Sequence, residues 1–255
     1  MNQSHLVAHR GIPARFPDNS LAGVLAALQK GVRFVEFDLQ LTADGVPVLF
    51  HDAHLKKATG RAARVADITW PELQKIFFRP QKKGAEERLY GITSLAEAVT
   101  EFKHYPHAIF FPEIKIAATR QRGVRPTTAL ILDLLDPIRS QCIPISFSIG
   151  VLKTIRTLWN AHPIGWIVDT WRIGNQRRAE ALQPEYLFAN QANFPIDFNL
   201  TVANWQWAFY EISDVELAKQ WIARGAALIE SNDVEKLAKQ MAWDEKYPPP
   251  FSFNS

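Results

Sequence analysis

The chain has 255 residues, and its 47% hydrophobic content, with 16 Phe and 8 Trp, is sufficient for a large buried core. A net charge of +3 without a long Lys/Arg block gives no support to nucleic-acid binding, and no stretch reaches the roughly 18 uninterrupted apolar residues of a membrane span. The single cysteine, Cys142, excludes an internal disulfide, and the N-terminus has no charged leader before an apolar run, so we expect a cytoplasmic protein.

In chain order, short apolar runs alternate with amphipathic segments, a pattern typical of repeated βα units. Eight of these runs are predicted to be strands: residues 6–9, 33–38, 108–115, 142–146, 164–168, 186–190, 207–212 and 227–230. A closed α/β barrel takes roughly 200 to 250 residues as one domain, so the length and the strand count predict a (β/α)8 TIM barrel of the α/β class. We expect residues 1–255 to form this single domain.

The segments between the strands carry recognisable helix ends. Asn19 or Ser20 is predicted to cap a first helix that ends at Lys30, before Gly31. Two later helix starts have the serine-to-glutamate spacing of a capping box: Ser94 with Glu97, and Ser213 with Glu216. Further helix-forming patterns cover residues 127–140, 152–160 and 234–241.

A hairpin is predicted directly after the second strand. Asp44-Gly45, between residues 42–43 and 46–50, is typical of a two-residue type I′ turn, which needs positive φ at both central positions. Such a turn pairs Ala43 with Val46, and counting outward it sets Asp38 opposite His51.

Residues 52–92 then form a small insertion after strand 2, in which Thr69-Trp70-Pro71-Glu72 is typical of a helix start. The run 81–87 is predicted to be a charged surface loop. Residues 247–251 contain three consecutive prolines and are predicted to be extended.

Polar residues concentrate where the predicted strands end. In this fold active sites lie at the C-terminal ends of the strands, and a purely structural barrel would not need such a concentration. The residues concerned are His9, Arg10, Glu36, Asp38, Glu113, Lys115, Asp169, Thr170, Trp171, Asn190, Gln191, Tyr210, Glu211 and Glu230.

Three carboxylates among them form a candidate metal site. Glu36 and Asp38 are two residues apart on one strand, so they share a face about 6 to 7 Å apart, and Glu113 ends the neighbouring strand. Oxygen-only ligands suit Mg²⁺ or Ca²⁺ better than zinc. From the spacing alone, an ordinary hairpin with two exposed acids and an unrelated histidine remains an equal alternative.

Positive and titratable side chains accompany these carboxylates. Arg10 and Lys115 add two cations, which together with a metal ion describe a pocket for an anion such as a phosphate. His9 and His51 can supply one imidazole to take a proton and one imidazolium to give one. The combination predicts metal-assisted cleavage of a phosphodiester.

The motifs, taken in order, resemble the signature of the glycerophosphodiester phosphodiesterases of the bacterial cytoplasmic type. They are His9-Arg10-Gly11, Pro17-Asp18-Asn19-Ser20, Glu36-x-Asp38, Thr42-x-Asp44-Gly45-x-Pro47-Val48-x-x-His51-Asp52 and Glu113-x-Lys115. Similarity continues to Tyr210-Glu211-Ile212-Ser213-Asp214, so it spans nearly the whole chain. Each motif alone is weak, but the ordered series is specific.

This resemblance implies a TIM-barrel enzyme that hydrolyses small glycerophosphodiesters, such as glycerophosphocholine and glycerophosphoethanolamine, to sn-glycerol 3-phosphate and an alcohol. By position, Glu36, Asp38 and Glu113 match the ligands of one divalent cation, which is Mg²⁺ or Ca²⁺. His9 and His51 match the acid-base pair of the family. Arg10 and Lys115 match its phosphate-binding positions. The insertion matches an elaboration that helps to enclose the glycerol.

Two departures from the family pattern concern the substrate. Tyr210-Glu211 replaces the usual Trp-Thr on strand 7, and Glu230-Ser231 replaces the usual Thr-Asp after strand 8. One hypothesis is that Glu211, Glu230 and Trp171 favour a cationic alcohol through charge and cation–π contact. The alternative is that these acids pair with Arg or Lys of the barrel.

Three other functions remain to be compared with this one. A phospholipase or sphingomyelinase of the same superfamily would need an export signal and usually disulfides. A non-catalytic metal or polyol-binding barrel should lack at least one of the histidines or carboxylates, all of which are present. A barrel lyase or aldolase would release no phosphomonoester.

The residues leave open the choice between Mg²⁺ and Ca²⁺, the alcohol, the roles of the two histidines, the first nucleophile and the oligomeric state.

Overall fold

The computed structural model describes residues 5–79, 89–200 and 205–241. Eight parallel strands form a closed barrel, because β1 pairs with β9 on one side and with β2 on the other. The strands are β1 (Leu6–His9), β2 (Phe34–Leu41), β3 (Pro47–Leu49), β4 (Ile109–Ile114), β5 (Ile145–Ser146), β6 (Gly165–Val168), β7 (Tyr186–Asn190), β8 (Gln206–Tyr210) and β9 (Leu228–Ser231). Among the strands of the described ranges, only β3 is antiparallel, and it extends the barrel at β2. The predicted (β/α)8 barrel is confirmed.

Helices connect the strands over the outer surface of the barrel. They are α1 (Leu21–Gln29), α2 (Lys56–Thr59), α3 (Trp70–Leu73), α4 (Leu95–Phe102), α5 (Val124–Leu135), α6 (Ile149–Leu158), α7 (Ile173–Leu182), α8 (Val215–Ala223) and α9 (Val234–Gln240). Short 3-10 helices cover Val65–Asp67, Ile116–Thr119, Asp136–Gln141 and Gln191–Asn193. Within the described ranges, no helix is both long enough and apolar enough to cross a membrane.

The helix starts agree with the sequence prediction at two positions and differ at a third. Ser20 caps α1, and the Ser94–Glu97 capping box at α4 is formed. The box predicted from Ser213 is wrong, because Asp214 is the N-cap of α8 and its carboxylate accepts a hydrogen bond from the backbone N–H of Leu217. A carboxylate one residue later therefore replaces the serine hydroxyl.

The helix predicted over residues 127–140 is also displaced. It begins earlier, at Val124, after Gly123 at a φ of +83°. It gives way at Asp136 to a 3-10 helix, because Pro137 has no backbone N–H to continue the α-helical hydrogen bonds, and Ile138 then leaves helical backbone with a φ of −125°.

The hairpin register differs by one residue from the prediction. Leu39 pairs with Leu49, and the N–H of Gly45 donates to the carbonyl of Thr42 at 3.0 Å, so the loop has three residues and ends in left-handed Gly45. The carboxylate of Asp44 accepts hydrogen bonds from the Thr42 hydroxyl and the Trp70 N–H, which favours this loop over the two-residue turn. Phe50, not His51, lies opposite Asp38.

Three apolar clusters support this architecture. One fills the barrel interior with residues such as Phe34, Phe111 and Phe188, and a larger one lies between the strands and the helices. The third lies beneath the insertion, around Phe50 and Phe78, so this part of the chain has its own packing beside the barrel. The charged run at 81–87 and the proline-rich tail at 247–251 lie outside the described residues.

Candidate active site

Three neighbouring strands bring the predicted site residues to one end of the barrel. β1, β2 and β4 are adjacent and parallel, and their registers set His9 beside Glu36 and Asp38 beside Glu113. Because parallel strands end at the same edge, these side chains and the residues that follow them surround one barrel mouth.

The three carboxylates predicted as metal ligands converge at this mouth. Glu36, Asp38 and Glu113 each offer an oxygen within 4.8 Å of the others, and all three side chains are buried. Burial, followed by repulsion from Asp38, raises the pKa of Glu36 well above its usual value and that of Glu113 to about 7. Burial alone would also raise the pKa of Asp38, but Lys115 and Arg10 hold it well below its usual range.

The two predicted phosphate-binding cations lie against the same carboxylates. The Lys115 ammonium is 2.7 Å from Asp38 Oδ1 and 2.8 Å from Glu113 Oε2. Arg10 Nε is 3.0 Å from Asp38 Oδ2. Arg10 has a φ of +57°, unusual for a residue with a Cβ, and its N–H donates to both the backbone and the side chain of Glu36. This fixed backbone directs the guanidinium toward the mouth.

The first histidine of the predicted pair is enclosed by the protein. His9 Nδ1 lies 2.7 Å from the Asn232 side-chain oxygen, and its Nε2 is 3.4 Å from Glu230 and 3.8 Å from Glu36. Burial, with Arg10 nearby, lowers the pKa of His9 to about 3, so the ring is neutral. Its Nδ1–H donates to the amide oxygen, which leaves Nε2 with its lone pair at the mouth.

The second histidine is more open to solvent. The His51 side chain is 36% exposed, and its Nδ1 is 2.7 Å from Asp52 Oδ1. Burial lowers the pKa of His51, and the charge of Asp38 opposes that shift. The Asp52 carboxylate on Nδ1 stabilises the protonated form of His51. The corresponding partner of His9 is the neutral amide of Asn232.

Two residues of the site could not be recognised from the strand ends alone. Asn19, predicted as a possible helix cap, is fully buried and has a φ of +61°. Its side-chain amide donates a hydrogen bond to Asp38 Oδ2 at 2.8 Å, and the Asp38 backbone N–H donates to the Asn19 side-chain oxygen at 2.8 Å. Asn232 belongs to none of the sequence motifs. Its only sequence signal is its position one residue after β9, where polar residues of this fold reach the mouth.

Glu230 lies at the barrel mouth, as its position at the end of the last strand predicts. Its carboxylate faces His9 rather than an Arg or Lys of the barrel, and it forms a second cluster of potential metal-binding atoms with His9 and Glu36. Burial raises the pKa of Glu230 to about 8, although the charge of Arg10 opposes the shift.

A cavity of about 370 Å³ opens above these groups, which we call the barrel-mouth cavity. It is lined by His9, Arg10, Glu36, His51, Lys57, Glu113, Lys115, Ile145, Phe147, Ile167, Phe188, Asn190, Tyr210, Glu211 and Glu230. Glu211, at a φ of +63°, accepts a hydrogen bond from the Asn190 amide at 2.8 Å. The cavity therefore has an apolar floor, a charged side and a polar rim.

Five of the predicted strand-end residues do not line this cavity: Asp38, Asp169, Thr170, Gln191 and Trp171. Of these, Trp171 lies in an aromatic cluster. It packs edge-to-face against Trp205 and Trp207, at ring separations of 5.4 and 5.0 Å. This packing therefore gives no support to the hypothesis that Trp171 makes a cation–π contact with a cationic alcohol. Tyr210 and Glu211, the other residues predicted to bind the substrate on this side, do line the cavity.

The donor atoms of the mouth fit a hard divalent cation. Glu36, Asp38 and Glu113 provide oxygen atoms only, which is the ligand type that Mg²⁺ and Ca²⁺ prefer. The repulsion that raises the pKa of Glu36 and Glu113 is the kind that a bound divalent ion relieves. The cluster can therefore bind a metal ion.

Sequence comparison agrees with this geometry. The profile of the glycerophosphoryl diester phosphodiesterase family matches residues 9–219. The chain belongs to this family. A glycerophosphodiester phosphodiesterase from Caldanaerobacter subterraneus subsp. tengcongensis is 35% identical over 188 residues, which cover 71% of this chain and 75% of that protein. Bovine glycerophosphodiester phosphodiesterase 1 is 36% identical over 111 residues, 41% of this chain, and the chain covers only 32% of that relative's length.

Solved structures of similar proteins share the barrel of this family member. An Oleispira antarctica phosphodiesterase, solved in complex with the product sn-glycerol-3-phosphate, superposes with a TM-score of 0.81 at 24% identity over 93% of this chain and 96% of its own. A Silicibacter pomeroyi protein described as a glycerophosphoryl diester phosphodiesterase gives 0.81 at 18% identity, over 93% of each chain. At these identities the likeness shows the fold.

Proposed function

We propose that this protein hydrolyses glycerophosphodiesters, including glycerophosphocholine and glycerophosphoethanolamine, to sn-glycerol 3-phosphate and an alcohol. The observation that carries the proposal is the convergence of three carboxylates, two cations and two imidazoles on one barrel mouth. The Oleispira antarctica relative was solved with the same product, sn-glycerol-3-phosphate. We further propose that residues 1–255 act as one catalytic domain with its insertion at about 52–92, and that it works in the cytoplasm, where the buried thiol of Cys142 stays reduced.

Glu36, Asp38 and Glu113 would hold one divalent cation, Mg²⁺ or Ca²⁺. When bound, the cation supplies positive charge that polarises the phosphoryl oxygens and stabilises charge in the transition state. The residues of the chain that meet the phosphate are Arg10 and Lys115, whose cations already lie within about 3 Å of the carboxylate cluster. They neutralise the charge that grows on the phosphate oxygens as the bond to the alcohol breaks.

His9 and His51 are the proposed acid-base pair. His9 is neutral and presents its Nε2 lone pair to the mouth, which suits the base that activates the attacking water or glycerol hydroxyl. His51 carries the carboxylate of Asp52 on Nδ1, which stabilises the protonated ring and suits the acid that protonates the leaving alkoxide. Both rings and Arg10 line the same cavity, so a phosphate held by Arg10 shares that space with both imidazoles.

A coupled assay for glycerol 3-phosphate tests the proposal. Purified protein is supplied with glycerophosphocholine or glycerophosphoethanolamine, treated with chelator, and given back Mg²⁺ or Ca²⁺. We expect product formation that the chelator abolishes and one of the metals restores, and loss of activity in Glu36→Ala and His51→Ala because these variants remove a metal ligand and a proton donor.

Matched controls are available on the same barrel. Glu180 and His104 are exposed residues, one on α7 and one after α4, so Glu180→Gln and His104→Ala should retain full activity. Failure of the metal-supplied protein to release glycerol 3-phosphate from any diester would refute the proposal. If the protein instead cleaves sphingomyelin or lysophospholipid, its substrates are lipid phosphodiesters.

A further inference from the structure

A second cavity, of about 460 Å³, lies between the loop after β1 and the insertion. We call it the insertion groove, and its lining includes Asp18, Phe50, Asp52, Phe78 and Arg79. It shares Arg10, His51 and Lys57 with the barrel-mouth cavity, so the two spaces meet at the proposed phosphate site. A substrate bound there can place one substituent in each space.

Among the residues that the structure describes, the lining of the insertion groove has more cations than carboxylates. Its two carboxylates are already engaged, since Asp18 lies 3.4 Å from Arg10 and Asp52 lies 2.7 Å from His51. Lys57 and Arg79 form no ion pair with any residue that the structure describes. An adjoining hollow of about 640 Å³ shares both of these cations and adds Lys56.

Arg79 is held in position by its surroundings. Its backbone N–H donates to the carbonyl of Ala58 at 2.8 Å, and its guanidinium lies directly over Gly60. A Cβ at that glycine would overlap the guanidinium, and a φ of +84° also favours glycine there. The side chain is exposed, but its place against the backbone at Gly60 limits the conformational freedom that it would lose on binding an anion.

The two substituents of a glycerophosphodiester fit different spaces. The barrel-mouth cavity has an apolar floor that includes Phe147 and Phe188, and the hydrogen-bonded pair Asn190 and Glu211 at its rim. These groups suit the carbon chain and the two hydroxyls of glycerol. The alcohol would then occupy the insertion groove, beside His51, which is the proposed donor of its proton. This assignment departs from the expectation, drawn from the family resemblance, that the insertion encloses the glycerol.

We propose that the insertion groove binds a second anionic group, a phosphate or a carboxylate, on the alcohol of the diester. This inference rests on the proposed function and names its preferred substrate class. Lys57 and Arg79 would contact the anion, and charge-assisted hydrogen bonds from such cations are stronger than neutral ones. Diesters of uncharged or cationic alcohols remain substrates, but they are hydrolysed with a lower kcat/KM.

Glycerophosphoinositol and glycerophosphoinositol 4-phosphate provide a matched pair of probes, since they differ only by one phosphate on the alcohol. Release of glycerol 3-phosphate from each is measured with the metal-supplied wild-type protein, with Lys57→Gln and with the double variant Lys57→Gln/Arg79→Gln. We expect the wild type to favour the phosphorylated probe about tenfold in kcat/KM. The ratio should fall toward one in the double variant and to an intermediate value in Lys57→Gln.

The exposed Lys239, near the end of α9, supplies the control. Lys239→Gln changes the net charge as Lys57→Gln does but should keep the wild-type ratio. A wild-type ratio of one or less, or a ratio that both groove variants leave unchanged, would overturn the proposal. Because each variant is judged by a ratio between two substrates, a partly unfolded sample does not imitate the effect. Turnover of glycerophosphocholine but of neither probe would also overturn the proposal, whereas release of glycerol 3-phosphate from none of these diesters would contradict the proposed function itself.

Discussion

Replacing Asn19 tests whether a buried amide sets the metal affinity of the site. Asn19 touches none of the proposed substrate space, yet its amide donates to Asp38 Oδ2 and its oxygen accepts the Asp38 N–H, both at 2.8 Å. Hydrogen bonds to charged groups contribute about 1.5 to 3 kcal/mol, and neutral ones about 0.5 to 1.5 kcal/mol. Removing both should lower the free energy of unfolding by about 2 to 4.5 kcal/mol.

Two substitutions separate the side chain from the backbone at this position. Asn19 has a φ of +61°, which glycine adopts freely and alanine adopts at a cost of about 1 to 2 kcal/mol. Asn19→Gly and Asn19→Ala should therefore weaken metal binding equally, while the alanine variant unfolds more easily. Residues that orient metal ligands typically change metal affinity about 10- to 100-fold, and we expect a shift of this size.

The assay is a titration of chelated enzyme with Mg²⁺ or Ca²⁺, read as glycerol 3-phosphate release, together with urea unfolding in chelator. At saturating metal, kcat should return to within a few-fold of wild type, because Asn19 positions Asp38 and does not contact substrate. Asn160→Gly, at an exposed residue after α6, is the control. A metal midpoint that moves less than threefold in folded Asn19→Gly would refute the reasoning, as would a large difference in midpoint between the two variants.

Three further predictions concern charge and proton transfer at the mouth. Lys115→Ala should lower kcat/KM by about 150-fold, since one charge-assisted contact to the transition state contributes on the order of 3 kcal/mol, and Lys115→Arg should recover part of this loss in the same assay. Metal affinity should rise with pH between about 6 and 8, because the raised pKa values of Glu36 and Glu113 keep these carboxyls partly protonated at the lower pH, and the protons must leave when the metal binds. Calorimetry in two buffers should detect this proton release. A metal affinity that does not change with pH would count against the prediction. His51→Ala should lose far less activity on a p-nitrophenyl diester, whose leaving group needs no proton, than on glycerophosphocholine, whereas His9→Ala should lose similar activity on both.

Local periodicity was sufficient to predict the barrel and most of its mouth. Apolar runs of strand length, separated by capped helices, identified the eight parallel strands, because alternation and capping depend on residues only a few positions apart. The same rule placed Glu36 and Asp38 on one face and predicted that Glu113 ends the adjoining strand.

The hairpin register could not be obtained in this way. Asp44-Gly45 is compatible with loops of two or three residues, and the choice depends on the hydrogen bond between Asp44 and Trp70, which is 26 residues away. One residue of slip changes every cross-strand pair, so Phe50 rather than His51 faces Asp38.

The sequence by itself therefore determined the strands, most of the helices, and the candidate set of three carboxylates, two cations and two histidines, since these follow from short-range patterns and ordered motifs, but it missed α2 and α7. Only the tertiary structure decided that Asn19 supports Asp38, that Asn232 and Glu230 enclose His9, and that Trp171 packs on other tryptophans. For His9 the physical reason is barrel closure, which brings β9 beside β1 and so joins residues more than 220 positions apart. The contacts of Asn19 and Trp171 instead depend on how loops and side chains pack between neighbouring elements, which no local pattern encodes.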